Sequence, residues 1–182
     1  MKYIAFLRGI NVGGHHKLPM VGLRKELEYL GFKNIITLLN SGNVIFDSEN
    51  QDLKKIEFII SNQLEKVFTF PIPTIIRTSK NITTLLKKEP LKSIEVIEQT
   101  RLYISFLKDK PVSQLKTPWI SEDKSFTILE QNEYHILSIL DLSIANTSKG
   151  MKKFEKLFGK NITTRTWNTI KRIGNKLTRC AL

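Results

Sequence analysis

The sequence predicts an α+β protein made of two ferredoxin-like halves of the β-α-β-β-α-β type, with helices packed on one face of an antiparallel sheet. Three observations lead to this fold class. Residues 1–90 alternate apolar runs and amphipathic segments in that order, residues 91–182 repeat part of it, and a charged linker with Pro90 separates them. The 182 residues, 41% hydrophobic and 25% charged, suffice to bury a core without a disulfide or a metal.

The first strand and helix are predicted from one apolar run and one stripe of leucines. Tyr3–Leu7 is short and apolar, as a buried strand is, and the Gly13-Gly14 pair indicates a loop after it. Pro19 fits the first turn of a helix that stops near Gly31. The apolar stripe of this helix consists of Leu23, Leu27 and Leu30.

A hairpin, a long helix and a fourth strand complete the first half. Asn34–Leu39 and Val44–Phe46 are β-prone runs joined by residues 40–43, which tolerate the positive φ of a tight turn. From Asp52 to Phe68 apolar residues recur every three or four positions, which predicts a helix. Pro73–Arg77 predicts the next strand.

The second half resembles a weaker copy of the first. Leu102–Leu107 predicts a strand, and Pro111–Trp119 a short helix. Phe126–Leu129 and Tyr134–Leu140 predict a hairpin, and Ser148–Phe158 predicts a basic amphipathic helix.

Residues 161–172 predict the start of a final helix. The residues able to cap its N–H groups are Thr163, Thr164 and Thr166. Arg165 and Asn168 are then expected near a helix N-terminus, where anions are favoured.

The positive charge is concentrated at the C-terminal end of the chain. The formal net charge is +12, and residues 149–182 carry ten basic side chains and one acidic one. Such a surface attracts polyanions and phosphorylated metabolites, although a solvated helix face explains the same lysines. The residues of a nucleic-acid surface would be Lys149, Lys152, Lys153, Lys156, Lys160, Lys171 and Arg172.

Cysteine content and the N-terminal residues bear on the compartment. A single cysteine, Cys180, cannot form an intramolecular disulfide and is poorly placed for a catalytic thiol. The apolar run before Arg8 is too short for a signal-peptide core or a membrane span. We therefore expect a cytoplasmic protein without a membrane partner.

The glycine-rich residues 8–17 have two interpretations. Gly9 and Gly14 have the four-residue gap of a nucleotide-binding P-loop, but His15 stands at the lysine position and no Ser or Thr follows. A true P-loop is thereby disfavoured. A structural turn and a non-standard anion or substrate loop both stay open.

The histidines do not predict a metal site. His15 and His16 are adjacent, so their side chains point apart, and only His135 and Cys180 remain as further soft ligands. We expect no metal and no cofactor. A general-base role for His15 or His16 stays open, because imidazole titrates near neutral pH.

Residues 40–43 also have two interpretations. The sequence Asn-Ser-Gly-Asn suits a hairpin turn whatever the function. Alternatively, Ser41 and Asn43 offer side-chain hydrogen bonds to a ligand beside the first strand. The Gly-x-Ser-x-Gly pattern of a serine nucleophile is missing.

Three segments resemble a bacterial family known as domain of unknown function 1697. They are Phe6–Gly14 with Leu18-Pro19-Met20, Ser41–Phe46 and Thr163–Thr169. The resemblance implies an α+β fold of ferredoxin-like halves and no established activity. Its recurrent polar positions fall here on Arg8, Asn11, Ser41, Asn43, Arg165 and Asn168. The family commonly has Asn immediately before the tryptophan, where this chain has Thr166. Threonine has no side-chain amide, so this chain lacks any hydrogen bond that the asparagine amide makes in the family.

Three functional hypotheses follow. The first is that the glycine loop, the turn at residues 40–43 and the final helix start form one cleft for a phosphorylated or otherwise anionic small ligand. Its residues would be Arg8, Asn11, Gly13, Gly14, Ser41, Asn43, Arg165 and Asn168. The second is a nucleic-acid-binding module that uses the basic C-terminal surface. The third is an enzyme acting on a small anionic substrate through a loop histidine or Ser41.

Overall fold

The computed structural model describes residues 1–95, 97–111 and 114–179. In this part of the chain it contains two antiparallel sheets, of four and five strands, and five helices. The chain divides into two compact units, Met1–Lys87 with Ile173–Leu182 and Lys88–Arg172, which we call unit 1 and unit 2. No helix among the described residues is long and apolar enough to span a membrane.

Unit 1 contains a four-stranded sheet in the order β2-β3-β1-β4, with every neighbouring pair antiparallel. Its elements are β1 (Lys2–Leu7), α1 (Met20–Tyr29), β2 (Lys33–Leu38), β3 (Asn43–Asp47), α2 (Leu53–Phe68), β4 (Thr74–Thr78) and α3 (Ser79–Lys87). The predicted strands and the two predicted helices of this half are confirmed.

The core of unit 1 lies between one face of this sheet and the helices α1 and α2. Alternate residues of β1, Tyr3, Ala5 and Leu7, point into it and are buried. Helix α2 begins at an aspartate cap, because Asp52 accepts hydrogen bonds from the N–H groups of Lys54 and Lys55. Burial of one helix stripe and one strand face is thus the main source of stability here.

The turn between β2 and β3 packs against the end of β1. Positive φ occurs at Leu39 and Gly42, whereas the sequence suggested it for residues 40–43 in general. A Cβ atom on Gly42 would lie 2.7 Å from Leu7 Cβ and 2.8 Å from Ile10 Cδ1. The Leu7 N–H donates to the Gly42 carbonyl at 2.8 Å. Only glycine therefore fits both the backbone angle and the space.

Helix α3 was not predicted from the sequence. Thr78 and Asn81 cap it reciprocally: Asn81 N–H donates to Thr78 Oγ1 at 3.1 Å, and Thr78 N–H donates to Asn81 Oδ1 at 3.1 Å. Ile82 and Leu85 are its buried residues. The Thr-x-x-Asn spacing is the signal that identifies this helix start.

Unit 2 contains a five-stranded antiparallel sheet in the order β6-β7-β8-β5-β9. Its elements are β5 (Thr100–Leu107), β6 (Trp119–Ile120), β7 (Phe126–Gln131), β8 (His135–Asp141), α4 (Thr147–Phe158) and β9 (Ile162–Thr166). Helix α5 (Trp167–Arg179) follows directly. Helix α4 covers one sheet face, with the rings of Phe126 and Phe154 edge-to-face at 5.0 Å.

Two predictions for the second half are wrong over the described residues. The predicted helix at Pro111–Trp119 is not formed, because residues 114–118 are irregular and Trp119 belongs to β6. Residues 162–166 form β9 instead of a helix start, and the helix begins only at Trp167. The β-branched run Ile162-Thr163-Thr164 pairs with β5, and this sheet pairing outweighs local helix signals.

We expect Gly42→Ala to destabilise the protein by about 2–4 kcal/mol, because the new Cβ combines backbone strain with overlap of Leu7 and Ile10. Gly14→Ala is the matched control, because Gly14 also has a positive φ but has no atom within 4 Å of a built Cβ. Urea unfolding of both variants measures the difference. Equal destabilisation by the two substitutions would contradict the packing account.

Candidate functional site

The glycine loop of unit 1 is a small hairpin. The Asn11 N–H donates to the His16 carbonyl at 3.1 Å, and the His15 N–H donates to the Val12 carbonyl at 3.1 Å. Between them Gly13 and Gly14 have φ values of +59° and +79°, as the two central residues of a type I′ turn require. The structural-turn interpretation therefore accounts for the glycine pair.

Asn11 fixes this hairpin to two other segments. Its Oδ1 accepts from the Leu18 N–H at 2.8 Å, and its Nδ2 donates to the Leu18 carbonyl at 3.1 Å and to the Asn40 carbonyl at 2.9 Å. Asn11 itself has a φ of +54°, a conformation that asparagine tolerates well. The Asn11 amide thus holds the loop in place, and its polar atoms are engaged in that role.

The two loop histidines differ in their surroundings. The His16 Nδ1 lies 3.0 Å from the Gly9 carbonyl, so it carries the proton, and the ring stacks on Phe70 with centroids 4.5 Å apart. His15 is exposed. Among the described residues no three His, Cys, Asp or Glu side chains are grouped closely enough to hold a metal ion. Cys180 lies outside the described residues.

The turn between β2 and β3 is held by Asn43. This side chain is fully buried, and its Nδ2 donates to the Leu38 carbonyl at 3.2 Å and to Ser41 Oγ at 2.9 Å. Ser41 is exposed. Asn43 therefore stabilises the turn, and Ser41 is a side chain that this turn exposes to solvent together with Leu39 and Asn40.

An acid-free stretch and an uncapped helix start lie next to one another in the chain. Residues 1–25 contain five basic side chains and no acidic one. Helix α1 follows Pro19 with no side-chain cap and no acid in its first turn. The first N–H groups of a helix have no partner within the helix, and together with the helix dipole they favour an anion.

We use the name loop surface for a set of residues of unit 1 at the end of β1, in the glycine loop and at the β2–β3 turn. They are Arg8, Asn11, Gly13, Gly14, Lys17, Ser41 and Asn43. Arg8 is half-buried and follows β1 directly, with its N–H donating to the Pro73 carbonyl at 2.9 Å. Within the part of the chain that the structure describes, the N–H groups of Gly13 and Gly14 donate to no protein acceptor.

Arg165 and Asn168, the other two predicted ligand residues, belong to unit 2. Arg165 is in strand β9 opposite Ile104, and its Nη1 donates to Thr163 Oγ1 at 2.9 Å and to the Thr164 carbonyl at 2.8 Å. Burial lowers the pKa of Arg165 to about 10, so it stays charged at neutral pH. Asn168 is exposed in the first turn of α5. The single cleft that unites both sets of residues stays a prediction.

Helix α4 presents most of the predicted nucleic-acid surface. Lys149, Lys152, Lys153 and Lys156 are exposed on this helix and Lys160 is exposed just after it, and we call these five residues the lysine face. Lys153 forms an ion pair with Asp123 and holds the pKa of that carboxyl well below its usual range. Lys171 and Arg172 are exposed on α5.

A shallow groove beside the lysine face was not foreseen from the sequence. It has a volume of about 370 Å³. Its lining consists of Trp119, Ser121, Glu122, Asp123, Phe126, Lys153, Lys156 and Leu157. Trp119 lies beside α4 because β6 pairs with β7, and no local sequence pattern indicates this pairing.

The fold and these surfaces define a mixed α/β protein with two antiparallel sheets. The chain belongs to the family described as protein of unknown function DUF1697, whose model matches residues 1–131. This match includes the glycine loop and the β2–β3 turn, and it ends before Thr163–Thr169. No curated protein matches the chain.

A solved structure supports the same architecture. The chain is similar to the conserved bacterial protein SP0830 from Streptococcus pneumoniae, with a TM-score of 0.63 and 21% sequence identity. The similarity covers 97% of this chain and 98% of the other. At 21% identity this similarity shows a shared fold and nothing about function.

We expect Asn11→Gly to destabilise the protein by about 1–3 kcal/mol, because three side-chain hydrogen bonds are lost while glycine keeps the positive φ accessible. Chemical unfolding measures this. Lys17→Ala, a change at an exposed side chain of the same loop, is the control and is expected to have little effect. An Asn11→Gly variant as stable as the control would show that the clamp contributes nothing.

Proposed function

We propose that the protein binds a phosphorylated or otherwise anionic small ligand at the loop surface of unit 1. The observation that carries the proposal is the uncapped start of α1, preceded by a rigid loop in a stretch of chain without acidic residues. Helix N-termini that follow a strand and a glycine-containing loop bind anions through backbone N–H groups.

The residues of the loop surface have different roles in this proposal. Asn11 and Asn43 hold the backbone in shape through the hydrogen bonds described above. Arg8 and Lys17 supply positive charge, and the N–H groups of Gly13 and Gly14 and of the first turn of α1 are donors for the anion. Because the framework is fixed before the ligand arrives, little ordering is needed on binding.

Participation of Arg165 and Asn168 in the same site stays a prediction that mutagenesis must test. Substituting each residue by alanine distinguishes a site that includes Arg165 and Asn168 from a site formed by unit 1 alone. A loss of anion affinity in Arg165→Ala without loss of stability supports a shared site, and an unchanged affinity restricts the site to unit 1.

An enzymatic role has weaker support. His16 Nδ1 donates to the Gly9 carbonyl, and Ser41 Oγ accepts a hydrogen bond from the Asn43 amide, a bond that holds the β2–β3 turn. His15 is exposed, and imidazoles in such positions commonly have no catalytic role. Binding is therefore the function we favour, and turnover of an anionic substrate stays an untested alternative.

We also propose that both units are variants of the ferredoxin-like fold. The predicted halves, residues 1–90 and 91–182, differ from the two units in that Ile173–Leu182 group with unit 1 and residues 88–90 with unit 2. For unit 1 the support is its β-α-β-β-α-β order and the strand order β2-β3-β1-β4. For unit 2 the support is the strand order β7-β8-β5-β9, which matches the order β2-β3-β1-β4 of unit 1 when β6 is left out. Strand β6 then stands in the chain where a first helix is expected.

Thermal-shift titration with pyrophosphate and ribose 5-phosphate, at low and moderate salt, tests the binding proposal. A ligand at a hundredfold excess over its Kd stabilises the protein by about 2.7 kcal/mol, which is a shift of several degrees. We expect Arg8→Ala and Lys17→Ala each to weaken the affinity about tenfold.

Lys66→Ala is the matched control, because it removes an exposed cation from the last turn of α2 in the same unit. It is expected to bind as the wild type does. Equal weakening in Lys66→Ala and Lys17→Ala would indicate a general charge effect and would contradict a localised site.

A further inference from the structure

We propose that unit 2 has a separate binding site for single-stranded nucleic acid, in which a base stacks on Trp119 in the groove and phosphates contact the lysine face. The site shares no residue with the loop surface. Its success or failure is therefore independent of the proposed small-anion site.

The groove has an apolar floor of a size suited to a base. Trp119, Phe126 and Leu157 line it, in a volume of about 370 Å³. Trp119 packs against the core of unit 2 on one side and is only partly buried, and Leu157 is 46% exposed. An aromatic ring fixed from one side and open on the other is a stacking platform for a planar base.

The walls of the groove are held in place by a polar network. Asp123 Oδ1 accepts from Ser121 Oγ and from Ser125 Oγ, both at 2.9 Å, and the other carboxylate oxygen pairs with Lys153 of α4. The Phe126 N–H donates to Ser121 Oγ at 3.1 Å. The turn before β7 is thereby tied to α4, and the groove is formed before any ligand binds.

The lysine face supplies charge along one side of α4. Lys149 and Lys153 are four positions apart, as are Lys152 and Lys156, so the four lysines lie on one side of the helix. Lys152 and Lys156 lie one turn apart, about 6 Å along the axis. Glu155 is the one acidic residue between positions 149 and 182. A ligand with repeated negative charges is therefore the complement of the lysine face.

The combination of both features selects the class of partner. An acidic side chain or a lipid headgroup matches the lysines but carries no planar aromatic ring of its own, whereas every nucleotide joins a phosphate to a planar base. The bases of a duplex are already stacked, so an unpaired strand fits better.

The acidic residues on the rim orient the strand. Glu122 is exposed at the groove and Asp123 is already paired with Lys153. These carboxylates repel a phosphate inside the groove, whereas a carboxylate accepts hydrogen bonds from the amino group of a base. The base is thus expected inside and the phosphates outside, along Lys152 and Lys156.

Fluorescence titration of the full chain with an unlabelled single-stranded deoxycytidine oligomer, whose bases carry an amino group, tests the stacking. The chain has two tryptophans, Trp119 and Trp167. Stacking predicts quenched emission in the wild type and no quenching in Trp119→Phe, whose affinity stays close to that of the wild type because phenylalanine also stacks. Trp119→Leu is expected to bind at least about fivefold more weakly. Quenching that persists in Trp119→Phe would overturn the proposal.

Anisotropy with a labelled oligomer tests the phosphate contacts. The double variant Lys152→Ala/Lys156→Ala is expected to lower the slope of log affinity against log salt by about 1.4, since each single-strand phosphate contact contributes about 0.7. Lys54→Ala/Lys66→Ala removes the same charge from exposed positions on α2 and is expected to leave the slope unchanged.

Competition identifies the class of partner. We expect an unlabelled single strand to displace the labelled oligomer, and the corresponding duplex and polyglutamate to displace it poorly. Displacement by polyglutamate or by the duplex at the concentrations effective for the single strand would overturn the assignment to unpaired nucleic acid.

Discussion

Asn11 joins three segments of unit 1 through one side-chain amide. It connects the hairpin after β1 with the Leu18 backbone before α1 and with the Asn40 carbonyl before β3. The rest of the loop surface depends on these bonds, because they fix where the backbone N–H groups and the start of α1 lie. Asn43 and Gly42 support the same arrangement from the neighbouring turn. The surface is therefore a rigid backbone framework with Arg8 and Lys17 beside it.

Local sequence signals determined some elements and not others. The strand β1 and the helix α2 follow from apolar periodicity, because burial on one face dictates that pattern. Strand β9 does not, since residues 162–166 become a strand only by pairing with β5, which precedes it by more than fifty residues. Trp119 and Ile120 likewise become strand β6 only by pairing with β7. Tertiary pairing overrode local propensity at both places.

The candidate sites show the same division. The residues of the loop surface could be selected from the sequence as polar residues at the ends of elements. The sequence did not indicate which of these residues hold the backbone in shape and which face solvent, because one partner of the Asn11 side chain is a carbonyl 29 positions away in the chain. In unit 2 the lysines were evident from charge alone. The groove beside them was not, because Trp119 reaches it through the pairing of β6 with β7.

The central claim is that an anion binds the backbone N–H groups of the loop surface. Two-dimensional ¹H–¹⁵N NMR during titration with pyrophosphate tests it most directly, because each backbone amide reports on its own surroundings. The account predicts that the largest shifts fall on Gly13, Gly14 and the first turn of α1, while the amides of α4 move little. Shifts centred on α4, or small shifts spread evenly over both units, would contradict it.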